Sequence, residues 1–179
     1  RALQTQMANL MNPTPTIIPD PITYINEIRA LARLETIQYS VEKVITGETG
    51  GGTFATFFGD KILFVGHGTV IAGIDMEKLA PENMRYENGA LSVQLPPTEI
   101  FIATLDNEKS YVYDRQTGVL TKPDPNLETL VRQKAEEEIL KAALEDGILN
   151  QAQINAETYL FKFFAALGFP NTIFLDNPN

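Results

Sequence analysis

Residues 125–149 read PNLETLVRQKAEEEILKAALEDGIL, and the fold turns on this stretch. Leu127, Val131, Ala135, Ile139 and Ala143 recur every fourth residue, with Leu130, Ala142 and Leu144 widening the stripe. That is the periodicity of an amphipathic helix with one buried face. Gly147 stops the helix, with Ile148 and Leu149 placed for the hydrophobic contact past the cap. Asn150 is expected to cap a second helix, with Gln153 three residues on as in a capping box. Ala152, Ala156, Tyr159, Leu160, Phe163, Phe164 and Leu167 form the stripe of that helix. Gly168 ends it, Pro170 forbids its resumption, and Thr172–Leu175 reads as a final strand.

Upstream, the period is two. Ile37, Tyr39, Val41 and Ile45 alternate with Gln38, Ser40 and Glu42, as in a half-buried strand. Gly47 to Gly52 holds four glycines in six residues, a flexible tip between strands, and Thr53–Phe58 after it reads as strand. A phosphate-cradling loop would need a helix at that point and usually a Lys. Gly59-Asp60 reads as a turn, Ile62–Val65 as a short strand, and Gly66-His67-Gly68 as a kink, a bulge or a close backbone approach before a strand resumes at Thr69–Asp75. Met76–Leu79 reads as a short helical turn. Asn88-Gly89 predicts a hairpin between Met84–Glu87 and Ala90–Leu95. Two more strands, Glu99–Leu105 and Ser110–Asp114, flank a turn at Asp106–Lys109, and Gln116-Thr117-Gly118 turns the chain into Val119-Leu120.

At the other end, Asp20 and Pro21 open an N-terminal helix carrying Ile22, Ile25, Ile28 and Leu31 at helical spacing. Residues 1–19 stand apart. The prolines between Pro13 and Pro21 bias the chain to extended geometry, so 1–19 reads as a Pro-rich linker or juxtamembrane spacer, and 20–179 as a single α+β domain. Truncation of 1–19 is expected to cost little stability. The order of helix, strands, two helices and strand predicts α+β architecture with a mostly antiparallel sheet.

Composition narrows function without naming it. Of 179 residues, 44% are hydrophobic and 21% charged, which excludes wholesale disorder. Fourteen Lys and Arg face 23 Asp and Glu, for a net charge of −9, and neither half of the chain is basic. Nucleic acid is therefore not an expected partner, since its binding rests on phosphate neutralisation by Lys and Arg. With no Cys and one His, thiolate sites, disulfides and His-rich metal sites are out, and no cofactor is expected. No apolar run approaches the ~18 residues of a membrane span.

His67, the sole imidazole, sits between two glycines and is the one candidate general base, but no nucleophile or orienting acid is placed beside it by sequence. Glu136-Glu137-Glu138 point in different directions around a helix and read as a solvated face. Asp106-Asn107-Glu108 lacks the alternating oxygens and mid-loop Gly of a calcium loop and reads as turn chemistry. Asp75, Glu99 and Asp114 are candidate paired carboxylates that spacing alone does not bring together. No residue is assigned a catalytic, cofactor-binding or metal-binding role. Phe161 lies off the stripe of its helix and suggests a second contact surface.

Three segments in order resemble a known family: Gly68–Met76; Leu95-Pro96-Pro97-Thr98-Glu99-Ile100 with Leu105-Asp106 and Tyr111–Gly118; and Ala142–Leu149 running on through Ala152, Asn155-Ala156 and Leu167-Gly168-Phe169. Together they resemble the bacterial family catalogued as domain of unknown function 4230, over roughly Ile25 to Leu175. The family has no assigned activity. Many members look like short proteins with one N-terminal membrane helix and an outward-facing domain. The resemblance implies a membrane anchor upstream of Arg1, the Pro-rich stretch as spacer, and an extracytoplasmic location. It also implies that Asp75 caps the turn after its strand. The expectation is a non-enzymatic, membrane-anchored envelope module that binds or assembles, its partner an envelope protein or a second copy. The alternative is a hydrolase-like enzyme using carboxylates or His67.

Overall fold

The computed structural model of the chain describes residues 28–50 and 55–176. A long hairpin dominates: β1 (Arg33–Thr49) runs up, α1 (Ala55–Phe58) turns at the tip, and β2 (Asp60–Asp75) returns. Two 3₁₀ turns follow at Met76–Lys78 and Pro81–Asn83, then β3 (Met84–Glu87), β4 (Ala90–Val93), β5 (Thr98–Leu105) and β6 (Tyr111–Thr117). The chain ends in α2 (Pro125–Glu145), α3 (Ile148–Ala166) and β7 (Thr172–Phe174). The architecture is α+β with antiparallel pairing throughout the larger sheet. Of the expected N-terminal helix, Ile28 and Arg29 are helical and the residues before them lie outside the described ones, as does the 1–19 linker.

Three sequence expectations change. Thr53–Phe58 was expected to be strand; its described part is the helical turn α1, and the returning strand starts only at Asp60. Gly66-His67-Gly68 does not break the strand, because β2 pairs with β1 in continuous register through Lys43↔Gly66, Glu42↔His67 and Val41↔Gly68. Asn150 is not a cap. Gly147 itself, with φ of 79°, reverses the chain in one residue, so α3 begins at Ile148 and Asn150 lies inside it. The hairpin at Asn88-Gly89 forms as expected, both residues having positive φ (53° and 80°).

β5 and β6 do not pair with each other. Both run antiparallel to β2, β5 along Gly68–Ile74 and β6 along Asp60–Val65. They are two legs of one line, interrupted at 106–110 opposite His67. Among the described residues the larger sheet is thus effectively three long strands with β2 in the centre and β1 on an edge. On the helix-facing side lie Ile62, Phe64, Val70 and Ala72 of β2, all fully buried. The stripe Leu127, Val131, Ala135, Ile139 and Ala143 of α2 covers them, joined by Ile148 and Ala152 of α3. Leu130 and Leu144 do not widen that stripe: they are 56% and 43% exposed, because the sheet meets only the row spaced by four.

The smaller sheet joins the β3–β4 hairpin to β7, which is parallel to β4. It encloses a second apolar cluster in which Leu160 and Phe164 of α3 meet Met76, Leu79, Leu91, Val93 and Phe169. Each such side chain, fully buried, contributes on the order of 1.5–3 kcal/mol. α3 therefore serves both clusters, its first half against the long sheet and its second against the small one.

Candidate functional site

Side chains alternate along β2, so Gly66 and Gly68 face α2 while His67 faces away, onto the side of the sheet that bears no helix among the described residues. Its Nε2 lies 3.1 Å from Oε2 of Glu42, directly across on β1. The backbone of the same residue anchors the 106–110 excursion. The His67 carbonyl accepts from the Asp106 N–H at 2.8 Å, and the His67 N–H donates to Ser110 Oγ at 3.0 Å. Ser110, nearly buried, donates to the Asp106 carbonyl at 2.7 Å. Asp106 folds the turn on itself, accepting from the N–H groups of Glu108 and Lys109 and pairing with Lys109 Nζ at 2.9 Å. The Lys109 ammonium holds the Asp106 carboxyl below its ordinary range, and the Lys109 amine is raised by the same contact. Turn chemistry is what the structure assigns to this segment.

A recess of about 130 Å³ results, lined by Ser40, Glu42, His67, Thr69, Asp106 and Lys109. An imidazole beside a carboxylate is the first half of a general-base arrangement. The second half, a hydroxyl donating to the imidazole, is not formed among the described residues; the Ser110 hydroxyl is spent on backbone. Sequence reading placed no acid beside His67, and the structure supplies Glu42. The signal that finds it is the strand pairing, which spacing does not carry.

Of the three candidate carboxylates, two come together and the third lies apart. Asp75 and Glu99 meet at Lys78, whose Nζ lies 3.4 Å and 2.8 Å from them. Asp75 also caps the following 3₁₀ turn, accepting from the Glu77 N–H at 3.1 Å. Asp114 is elsewhere, accepting from the Gln116 side chain. Glu136, Glu137 and Glu138 do not converge either: Glu136 accepts the Leu105 N–H at 3.2 Å, and the other two pair with Lys134.

A polar network that sequence reading missed joins the strands to α2. Asp60, only 2% exposed, accepts from Arg115 Nε at 3.2 Å and from Arg115 Nη2. It also accepts from the Thr117 hydroxyl and the Asp124 N–H, each at 2.8 Å. The Arg115 guanidinium, reinforced by the other donors, holds the Asp60 carboxyl far below the usual carboxylate range despite burial. Arg115 Nη2 donates on to the Asp124 carbonyl at 2.8 Å, and Asp124 caps α2 through its side chain. The sequence signal was Arg115 itself, a cation at a helix-facing position of β6.

A wider concavity lies elsewhere. Along the outer edge of β1, Gln38 to Lys43 and the last turn of α2, from Ala142 to Asp146, line a groove of about 720 Å³. A second recess of about 440 Å³ continues it along Lys43–Thr46, walled by Lys134 and Glu138 of α2. At the far tip, Phe57, Phe58, Val119 and Leu120 are 48%, 56%, 80% and 66% exposed, and backbone hydrogen bonds from Gly118 to Gly59 and from Leu120 to Phe57 hold the two loops together. Among the described residues, no helix is long and apolar enough to cross a membrane.

A family model described as protein of unknown function (DUF4230) matches residues 26–173. No curated protein and no solved structure matches the chain.

Proposed function

The chain belongs to that family, and from this premise we propose that it is a non-enzymatic binding or assembly module of the cell envelope, tethered by a membrane anchor upstream of Arg1. The observation that carries the binding half of this reading is the groove between the β1 edge and α2. It is long, open and lined by both backbone edge and charged side chains, which suits an extended partner better than a small enclosed substrate. The tether rests on the family resemblance and on the Pro-rich stretch Pro13–Pro21, whose composition suits a semi-rigid spacer. The partner class is an envelope protein. A net charge of −9 disfavours both nucleic acid and self-association as the main mode.

The complete gene product, fractionated from its native cells, tests the tether. It should sediment with membranes, resist washing with high salt, dissolve in detergent, and be cut by protease added outside the inner membrane. A product found in the soluble cytoplasm would end the envelope reading.

A hydrolase-like enzyme remains the second reading, on one observation: the 3.1 Å contact between His67 and Glu42 inside a recess. Turnover of an ester or phosphoester that disappears with His67→Ala, the fold intact, would promote it.

A further inference from the structure

The groove has the geometry of strand addition. β1 is 17 residues long, and among the described residues it pairs with β2 alone. Its outer edge therefore presents a row of backbone N–H and C=O groups, the template on which an extended segment adds as a further strand. At the start of β1 this edge is already taken: Thr36 donates to the Ala152 carbonyl at 2.9 Å, and its own carbonyl accepts from Asn155 of α3 at 3.0 Å. From Gln38 to Thr46 it is bordered by the two recesses, which meet at Lys43. Nine residues of strand span about 30 Å. The outer wall is α2, which covers β1 along this length and leaves side-chain space beside the edge.

Charge says what kind of segment fits. α2 runs antiparallel to β1, since Leu127 and Val131 sit over Gly47 while Ile139 sits over Gly68, the partner of Val41. The C-terminal end of α2 thus lies beside Gln38. That end carries Glu145 and Asp146 and no basic residue in its last turn, so two carboxylates stand where the helix dipole is already negative. Lys141 approaches Glu145 only to 3.8 Å. Further along, Lys134 is matched by Glu137 and Glu138 at 3.0 Å and 3.1 Å, leaving Lys43 as the cation on the strand itself. The unbalanced charge of the groove is therefore negative and lies at its Gln38 end.

The geometry points to strand addition at the β1 edge: the Gln38–Thr46 groove takes an extended segment of a partner protein that carries Lys or Arg where it passes Glu145 and Asp146. This rests on the binding-module reading and names its partner's chemistry. A second copy of the chain fits less well, because it would bring like charge to like charge.

The test is selection of a random ten-residue peptide library on the full chain at low salt, followed by hydrogen exchange on the chain with the synthetic winners. The expected winners are rich in β-branched residues and in Lys or Arg. They should slow exchange of amides within 38–46 and lose binding when alternate peptide nitrogens are methylated. The exposed double variant Glu145→Lys, Asp146→Lys should weaken them roughly tenfold while its thermal unfolding stays close to the parent's. The inference is overturned if nothing is enriched, if the winners protect a different surface, or if the charge reversal changes nothing. It is equally overturned if the amides of 38–46 that point away from β2 are already protected in the chain alone, as they would be with a dimer or residues 1–27 on that edge; sedimentation separates those two. Membrane fractionation is indifferent to all these results, so loss of this inference leaves the tethered-module reading to its own test.

Discussion

Gly66 of β2 lies beneath Ala135 of α2 so closely that a Cβ on the glycine would stand 2.9 Å from the Cβ of the alanine. Two turns of the same contact exist. A Cβ on Gly68 would meet Ile139 at 2.8 Å, and one on Gly47 would collide with Val131. The four-residue step of the α2 stripe and the glycines of the sheet are thus one device, a helix laid low on strands that have no side chain beneath it. The Gly-His-Gly motif is explained by packing: its glycines serve α2, and His67 is what alternation leaves on the opposite face.

Gly66→Ala should therefore destabilise by about 1–3 kcal/mol, the usual range for overpacking. Gly68→Ala should cost more, because its Cβ would also stand 2.8 Å from the Thr104 carbonyl oxygen, which is backbone and cannot rotate away. Urea titrations of the two variants against the parent measure this. Equal stability in all three would show that α2 can lift without loss.

That device was half legible. The spacing of Leu127, Val131, Ala135, Ile139 and Ala143 located the buried face of α2 residue by residue, because a helix periodicity is local. In sequence the glycines fit a bulge or a close approach equally, and only the partner decides between these. The same limit hid the site. Glu42 is 25 positions from His67, and β5 and β6 looked like separate strands until both were seen against β2. Asp60 read as a turn residue because Gly59 precedes it; its burial depends on Arg115 and Thr117, whose roles no spacing reveals. Leu130 and Leu144 were overcounted because hydrophobicity alone cannot say how wide the opposing surface is.

Asp60→Asn should destabilise by about 2–4 kcal/mol at neutral pH. Removing one partner of a buried ion pair usually costs ~3–5 kcal/mol, reduced here because the Arg115 side chain is 26% exposed. The pH dependence has a definite sign. The native carboxyl is held below its unfolded value, chiefly by Arg115, so its contribution is complete above about pH 4 and is lost progressively as pH falls below that. The stability gap between parent and variant should accordingly narrow on going from pH 6 to about pH 3. A gap constant over that interval would mean that Arg115 does not lower the Asp60 carboxyl in the native state, and a gap that widens would mean that Asp60 is not ionised there.

His67→Ala should leave the fold nearly untouched. The imidazole and its Glu42 partner are 32% and 58% exposed, and such surface pairs are worth about 0–1 kcal/mol. The backbone groups that hold Asp106 and Ser110 survive the substitution. Melting curves should overlap within a few degrees, and binding in the β1 groove should be unchanged. A change in the exchange of the Ser110 amide would indicate that the imidazole, and not the backbone alone, positions the excursion.

The aromatic residues of α3 grade by depth, and their truncations should grade with them. Phe164 is 1% exposed and its ring meets Phe163 at 6.0 Å and Phe174 at 6.4 Å, inside the smaller cluster. Phe164→Ala should cost about 3–5 kcal/mol, lowering the melting temperature by roughly 10 °C. Phe163 shares the helical stripe but is only half-buried, stacked 6.4 Å from the exposed Tyr159, so Phe163→Ala should cost about half as much. Phe161 is 45% exposed on the remaining face, and Phe161→Ala should leave the monomer within about 1 kcal/mol of the parent. Sedimentation decides the rest. If Phe161 served a chain–chain contact, its truncation would shift the parent's association at unchanged melting temperature. The acidic surface argues for no such shift, and a parent that sediments as a monomer would leave Phe161 an ordinary exposed aromatic and the β1 edge the surface on which partners are met.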